Sequence, residues 1–364
     1  MLIRGSELRT FRRCRQKWAW SYMDGREPKR KKGALTFGTL VHKALEIYYP
    51  PGLERGPHPA TTFERLFVAN AEQFDQWDEE GNRIGAMELG VEMLKGYVHK
   101  WGEDPGIEII SPEQTFKVVI KDRKGKVIAT FVGMFDALAR SLRTGRIFVF
   151  ETKTAKSIKL VRINSSYGDQ GLGYWIAANY WCRENGLLKP NEYIDGVMYN
   201  FLRKALEGDK PRDAMGRILN KPTKTRLMEE LASLGITVVH PKTVDGAIST
   251  LKDHFYTDED IGRLGDISKV QPPPLFERQE LLYGPEELRS FEERLRAQAL
   301  EMGQARKGEL DIYKNPTNDC DWDCPFQDAC EIHEMGGDYE SILEMEFHKW
   351  NPYEDHELEE ELKA

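Results

Sequence analysis

Two apolar segments joined by a turn constrain this sequence more than any other feature. Residues 131–139 and 147–154 are rich in Phe, Val and Ile, and Gly145 lies between them. Aromatic and β-branched residues favour strands, and a glycine between two such runs favours a tight turn. The pattern therefore predicts a β-hairpin whose second strand contains the run Glu-Thr-Lys at 151–153.

Acidic residues on both strands of this hairpin indicate a chemical site. A turn centred near Thr144 places Asp136 within one residue of the position opposite Glu151 or Thr152, and side-chain alternation puts Lys153 on the face of Glu151. Carboxylates are costly to bury unless they are paired or bind a metal. Oxygen ligands suit Mg²⁺ or Mn²⁺, and a neighbouring lysine suits phosphate chemistry. The hairpin alone leaves two interpretations open, a divalent-metal site and a surface Glu–Lys salt bridge.

The formal net charge of −8 argues against nucleic-acid binding by the surface as a whole, but the charges are unevenly distributed. Cations crowd the first 32 residues, whereas the last dozen residues are acidic. The basic loop at 26–33 is equally consistent with phosphate contacts and with a solvated run of charges.

The sequence has no apolar run of membrane-spanning length, and its start lacks the apolar segment of a signal peptide. We therefore expect a cytoplasmic protein without a membrane partner, in a bacterial, archaeal or phage-infected cell. In a reducing compartment the five cysteines are expected to be metal ligands or core thiols rather than disulfides.

The order of the remaining patterns predicts an α/β chain. A strand at 106–122 and the hairpin form an antiparallel meander, and a strand at 193–202 is added beside it after a helical crossover. Residues 204–274 break the pattern and read as an insertion with short helices at 225–234 and 244–255. The other elements are predicted as follows: helices at 6–22, 36–49, 62–77, 87–101, 165–185 and 284–302, and a strand at 275–282.

Single residues in the predicted helices are less informative. His42 borders an apolar stripe, where a lone histidine is usually structural, and Cys182 lies deep in its helix and reads as a core thiol. Gln170 and Tyr174 are four residues apart and share a helix face.

Three cysteines near the C-terminus predict a second metal site. Cys320, Cys324 and Cys330 are crowded in a polar, turn-rich segment, and thiolate sites of this kind bind Zn²⁺ or an iron–sulfur cluster. A fourth ligand is required. Cys14 would complete a four-cysteine iron–sulfur site, and His333 would complete a zinc site with three cysteines. The local spacing does not decide between them.

Taken together, these residues resemble the RecB-like branch of the PD-(D/E)XK nucleases, and most closely its iron–sulfur members. Those members include the CRISPR-associated exonucleases, the AddB nuclease domain and related phage exonucleases. The pieces that carry the resemblance occur in the family's order across residues 6–330: Cys14, Gly38-x-x-x-His42, Gly133-x-x-Asp136, Glu151-Thr152-Lys153, Gln170-x-x-x-Tyr174 and the late cysteine triplet. The sequence departs from the family pattern twice. Phe135 replaces the family's proline, and three residues instead of two separate the first two late cysteines, which keeps Zn²⁺ open as an alternative.

The resemblance implies roles for residues that were ambiguous alone. It implies that His42, Asp136, Glu151 and the Thr152 carbonyl bind Mg²⁺ or Mn²⁺. Lys153, Gln170 and Tyr174 would complete the catalytic site, and Glu113 is a further acidic candidate. The cluster ligands implied for a [4Fe–4S] group are Cys14, Cys320, Cys324 and Cys330. The DNA-binding cations implied beside Cys14 and in the basic loop are Arg12, Arg13, Arg15, Lys17, Arg30 and Lys31.

The resemblance also implies a domain organisation and an activity. A restriction-endonuclease-like core is expected at 34–203, and a helical N-terminal lobe joins an iron–sulfur lobe built from 1–33 and 305–335. The rest comprises an arm at 204–274, a strand and long helix at 275–304, and an acidic tail at 336–364. The expected activity is metal-dependent exonuclease cleavage of DNA that leaves 5′-phosphates, in recombination, repair or phage DNA metabolism. The sequence has no Walker A motif, so any helicase would be a separate partner. The alternatives are a structure-specific or restriction-type endonuclease and a non-catalytic zinc-finger protein.

Overall fold

The computed structural model of the protein describes residues 1–29, 33–70, 85–208, 210–236 and 243–354, apart from the side chains of residues 33–35 and 167. The chain forms two compact units. The larger unit comprises Met1–Lys204 and Phe276–Ala364, and the smaller unit comprises Ala205–Leu275. None of the helices in the described ranges is long and apolar enough to span a bilayer.

The larger unit is built from helices and, in the residues that the structure describes, three sheets, as expected for an α/β chain. Its strands are β1 Leu2–Arg4, β2 Arg26–Pro28, β3 Ile107–Ser111, β4 Gln114–Lys121, β5 Val127–Phe135, β6 Ala137–Ser141, β7 Ile147–Ala155, β8 Gly196–Arg203, β9 Phe276–Leu282 and β10 Phe347–Lys349. Its helices are α1 Gly5–Arg13, α2 Arg15–Trp18, α3 Gly33–Tyr48, α4 Pro59–Ala69, α5 Ala86–Trp101, α6 Ile158–Tyr167, α7 Asp169–Glu184, α11 Pro285–Arg306, α12 Cys320–Asp323, α13 Gln327–Glu334 and α14 Tyr339–Glu346.

The smaller unit is helical and has its own core. It contains α8 Lys224–Ser233, α9 Val244–Asp253 and α10 Asp258–Arg263. Leu227, Leu231, Leu251 and Ile261 pack together in its interior.

One sheet has the strand order β3-β6-β7-β8-β9, and a second has the order β1-β5-β4. The pair β6 and β7 is antiparallel, and β8 lies parallel to β7 after the crossover through α6 and α7. The predicted antiparallel pairing across the turn at Gly145 and the added strand are therefore confirmed, but the first strand of the pair begins at Ala137 instead of Phe131. Phe148 and Phe150 pack into one core and Val149 into another, so β7 is buried on both faces.

Four continuous elements predicted from periodicity are divided in the structure. The first predicted strand of the hairpin, 131–139, is divided at Asp136 between β5 and β6. The predicted strand at 106–122 becomes β3 and β4, which belong to different sheets, and Glu113 lies between them instead of inside a strand. The predicted helix at 6–22 ends at Cys14, whose backbone is extended, and resumes as α2 and a short π-helical segment, Ala19–Met23. The predicted helix at 165–185 is interrupted at Gly168, where α6 ends.

The C-terminal segment is folded and is not only an acidic tail. The antiparallel pair β10 and β2 joins it to the N-terminus, and Trp20 packs with Phe326 and Phe347 in a shared apolar cluster. The end of the predicted helix at 62–77 and the acidic residues after Glu354 lie outside the described residues.

Candidate active site and cysteine site

Asp136 lies at the point where the chain passes from one sheet to the other. It follows the last residue of β5 and precedes the first of β6. Because Ala137 pairs with Phe150, Asp136 comes opposite Glu151 at the end of the hairpin. The backbone N–H of Thr152 donates a hydrogen bond to Asp136 Oδ2 at 2.8 Å. The site therefore brings Asp136, Glu151 and Thr152 together as the hairpin register predicted.

His42 and Lys153 supply positive charge to the two carboxylates. His42 Nδ1 lies 3.1 Å from Asp136 Oδ2, and Lys153 Nζ donates to Glu151 Oε1 at 2.5 Å. Burial is the largest effect on His42 and lowers its pKa, but the charge of Asp136, its hydrogen bond and the charge of Glu151 together raise the net pKa. Burial likewise favours the neutral form of Asp136, but His42 and Lys153 lower the pKa of this carboxyl overall. Each cation is thus paired with one acidic side chain.

The surroundings of Glu151 disfavour its charged form. Its side chain is only 3% exposed, and burial together with the Asp136 charge raises the pKa of Glu151 to about 7. Glu151 Oε2 is buried and makes no hydrogen bond within the described residues. A buried carboxylate oxygen without a partner is costly, and a cation would satisfy it.

The glycines of two sequence motifs allow close packing around the site. A Cβ atom at Gly38 would lie 3.3 Å from Thr154 Oγ1, so glycine lets α3, which carries His42, approach β7 closely. A Cβ atom at Gly133 would lie 2.7 Å from the ring of Phe116. Close packing therefore accounts for the glycine in each of the two motifs.

The remaining candidates lie around this centre. Gln170 Nε2 donates to the Tyr174 hydroxyl at 2.7 Å, and burial followed by the charges of Glu151 and Asp136 raises the pKa of Tyr174. Glu113 lines a small cavity with His42 and Asp136, and burial followed by the charge of Glu46 raises its pKa.

A polar network that involves β8 and β9, beside β7 in the sheet, was not apparent from the sequence. Asn200 Nδ2 lies 3.4 Å from Thr152 Oγ1 and 3.0 Å from the Tyr97 hydroxyl. Arg278 donates to Tyr97 and binds both carboxylate oxygens of Asp104, at 2.9 and 2.6 Å. Asn200 and Arg278 meet because β8 pairs with β9, whereas Tyr97 and Asp104 come from α5 and the segment after it.

The four cysteines expected to bind a cluster line one cavity of about 180 Å³. Cys14 reaches it because its extended backbone interrupts the first helix, and its sulfur accepts a hydrogen bond from the Lys17 N–H at 3.5 Å. Burial raises the pKa of both Cys324 and Cys330. His333 is not among the described residues that line this cavity. Its ring packs against Trp20 and Tyr339 instead, at centroid distances of 6.0 and 4.6 Å.

Three of the predicted DNA-binding cations are engaged in ion pairs within the protein. Arg12 pairs with Asp169, and Arg13 pairs with Asp323. Arg15 lies 3.7 Å from Glu301. Lys17 lines the cysteine cavity, and Arg30 and Lys31 lie outside the described residues. These pairings favour a structural role for the three arginines.

A sequence model described as the PD-(D/E)XK nuclease superfamily matches residues 5–331. The chain belongs to this nuclease superfamily. Its mixed α/β structure fits that fold, and membership implies a nucleic-acid substrate. A search among curated proteins found no match.

PD-(D/E)XK nucleases usually use Mg²⁺ or Mn²⁺. Among the described residues, no three His, Cys, Asp or Glu side chains stand in a group that holds a metal ion as they are placed. The donors of this nuclease nevertheless fit a divalent cation, because two carboxylates meet and one of their oxygens is buried without a partner.

Proposed function

We propose that this nuclease is a metal-dependent DNA exonuclease of the RecB-like type. The observation that carries the proposal is the meeting of Asp136 with the Glu151-Thr152-Lys153 run, where Glu151 Oε2 is buried and unpartnered. A divalent cation would be held by Asp136, Glu151, His42 and the Thr152 carbonyl. When bound, it would activate a water and stabilise charge on the phosphoryl oxygens.

The chain's own residues position the reaction. The Thr152 N–H and His42 hold Asp136 in one orientation by bonding its Oδ2. Lys153, once released from Glu151, would orient the attacking water or stabilise the charge of the transition state. Tyr174, held by Gln170, lies beside the carboxylates and would contact the substrate. Departure of the 3′-oxygen leaves a 5′-phosphate.

We further propose that the four cysteines hold a [4Fe–4S] cluster with a structural role. Tetrahedral Zn²⁺ with Zn–S bonds of about 2.3 Å would draw four sulfurs to within about 4 Å of one another. Here the four cysteines are among the residues that line a cavity of about 180 Å³, which has room for a larger group. A cluster would join Cys14 to a segment more than 300 residues later and so restrict the unfolded chain.

The test is cleavage of end-labelled linear DNA, single-stranded and duplex, with Mg²⁺ or Mn²⁺, compared with covalently closed circular DNA. We expect cleavage from ends, 5′-phosphate products and no cleavage of circles. Asp136→Ala and Glu151→Ala should abolish cleavage, and Lys153→Ala should lose about 10²–10³-fold in turnover while retaining metal binding.

The matched control is Glu108→Gln. Glu108 lies on β3, in the same sheet as Glu151, and its carboxylate pairs with Arg140. This variant should keep full activity. Cleavage of circles would make the protein an endonuclease, and activity in a purified Asp136→Ala protein would remove the assigned site.

A further inference from the structure

The hairpin formed by β4 and β5 begins at the candidate site and ends in a group of cations. Its base lies at Gln114 and Phe135, which pair next to Glu113 and Asp136. Its far end carries four exposed cations and one carboxylate, Asp122. We call these cations the basic tip: Lys121, Arg123, Lys124 and Lys126.

Backbone hydrogen bonds hold the basic tip in one conformation. Asp122 Oδ1 accepts from the N–H groups of Lys124 and Lys126, at 2.8 and 2.9 Å. Gly125 has a φ of +83°, which glycine adopts without strain, and its N–H donates to the Asp122 carbonyl at 3.0 Å. The tip therefore presents its cations on an ordered turn, and its only carboxylate is committed to that turn.

The cations of the basic tip are available to an external anion. No ion pair joins any of the four to a carboxylate in the part of the chain that the structure describes. Arg296 of α11 donates its Nε to the Lys121 carbonyl at 2.9 Å and adds a fifth cation. Val119 and Val127, about half exposed, lie beside them.

We propose that the basic tip binds the phosphate backbone of the DNA substrate away from the cleaved bond. This rests on the proposed DNA nuclease function. A tight, unpaired group of cations on a chain of net charge −8 favours a polyanion over a small ligand. Seven residues of β4 at about 3.3 Å each place the tip about 23 Å from the site, which is about seven base pairs of duplex.

The experiment measures equilibrium binding of duplexes of about 6 and about 20 base pairs at several salt concentrations, with a chelator present. The tip variant combines Arg123→Gln, Lys124→Gln and Lys126→Gln. The control variant combines Arg143→Gln, Lys189→Gln and Lys307→Gln, exposed cations elsewhere on the larger unit, and changes the formal charge equally. Thermal melting verifies that both variants are folded.

We expect the tip variant to bind the long duplex at least about tenfold more weakly, with a salt slope reduced by about one unit per removed cation. The control variant should match the wild type, and the short duplex should not distinguish the proteins. Equal losses in both variants, or equal losses on both duplexes, would overturn the inference. If the wild type cleaved no DNA but the tip variant still lost salt-dependent binding, the proposed function would fail, whereas phosphate-backbone binding by the basic tip would stand.

Discussion

Asp136 Oδ2 accepts a hydrogen bond from the backbone N–H of Thr152 at 2.8 Å, so the backbone of β7 orients a carboxylate that belongs to the junction of β5 and β6. A backbone donor does not depend on a side-chain rotamer. The position of Asp136 is therefore determined by the hairpin register itself, and the chemistry of the site depends on that register being maintained.

The pKa of Glu151 predicts an unusual pH dependence for the chelated protein. Burial, then the Asp136 charge, raises this pKa from 4.5 to about 7. The folded chain then holds a proton that the unfolded chain has released, so the contribution of Glu151 to stability is complete below about 4.5 and is lost as pH rises through about 7. Between about pH 5 and about pH 8 the wild type should lose up to about 3 kcal/mol relative to Glu151→Gln. Denaturant unfolding at several pH values measures this, and parallel pH curves would contradict it.

Removal of the His42 imidazole should affect metal use more than stability. The imidazole contacts Asp136 and faces the candidate metal site. We therefore expect His42→Ala to weaken Mn²⁺ affinity about 10–100-fold while the protein still melts cooperatively. Activity as a function of Mn²⁺ concentration measures the effect, and His99→Ala, at an exposed histidine of α5, is the control. A large loss of thermal stability with unchanged activity at saturating Mn²⁺ would make His42 an ordinary core residue.

Cys14→Ser should behave like Cys330→Ser if both are cluster ligands. A hydroxyl replaces the thiol with little change in size but binds iron poorly, so visible absorbance and iron content should fall and stability should drop. Iron, sulfide and zinc analysis of the purified proteins measures this. His333→Ala should keep its metal, because His333 packs against Trp20 and Tyr339 away from the cavity. Full metal content in Cys14→Ser would mean that Cys14 is not a ligand.

The buried ion pair behind β7 should be costly to break. Arg278→Ala leaves Asp104, whose side chain is 8% exposed, without its bidentate partner, and we expect a loss of about 3–5 kcal/mol in the free energy of unfolding. Arg162→Ala, which breaks the more exposed pair with Glu277, should cost about 1 kcal/mol or less. Urea unfolding measures the free energy of unfolding of both variants. Equal losses would show that burial does not determine how much an ion pair contributes to stability.

The sequence by itself determined the features that depend on neighbours along the chain. Alternation at 147–155 specified a strand with Glu151 and Lys153 on one face, and the turn at Gly145 set the register that brings Asp136 opposite Glu151. The change of composition after residue 203 predicted a separate segment at 204–274, and the smaller unit of the structure spans Ala205–Leu275. Periodicity reports these features because strands, turns and their register are specified over a few residues.

Only the tertiary structure decided which distant side chains meet. Helical periodicity runs through Cys14, yet the structure breaks the helix there and turns the thiol into the cavity of the late cysteines. Arg12 and Arg13, predicted as DNA contacts, lie beside Asp169 and Asp323 in the fold, which the sequence did not indicate. Arg278 pairs with Asp104, although the two residues are 174 positions apart in the sequence. Such pairs depend on how whole elements pack, because a charge takes its role from the charge that lies next to it in space, and periodicity carries no information about that partner.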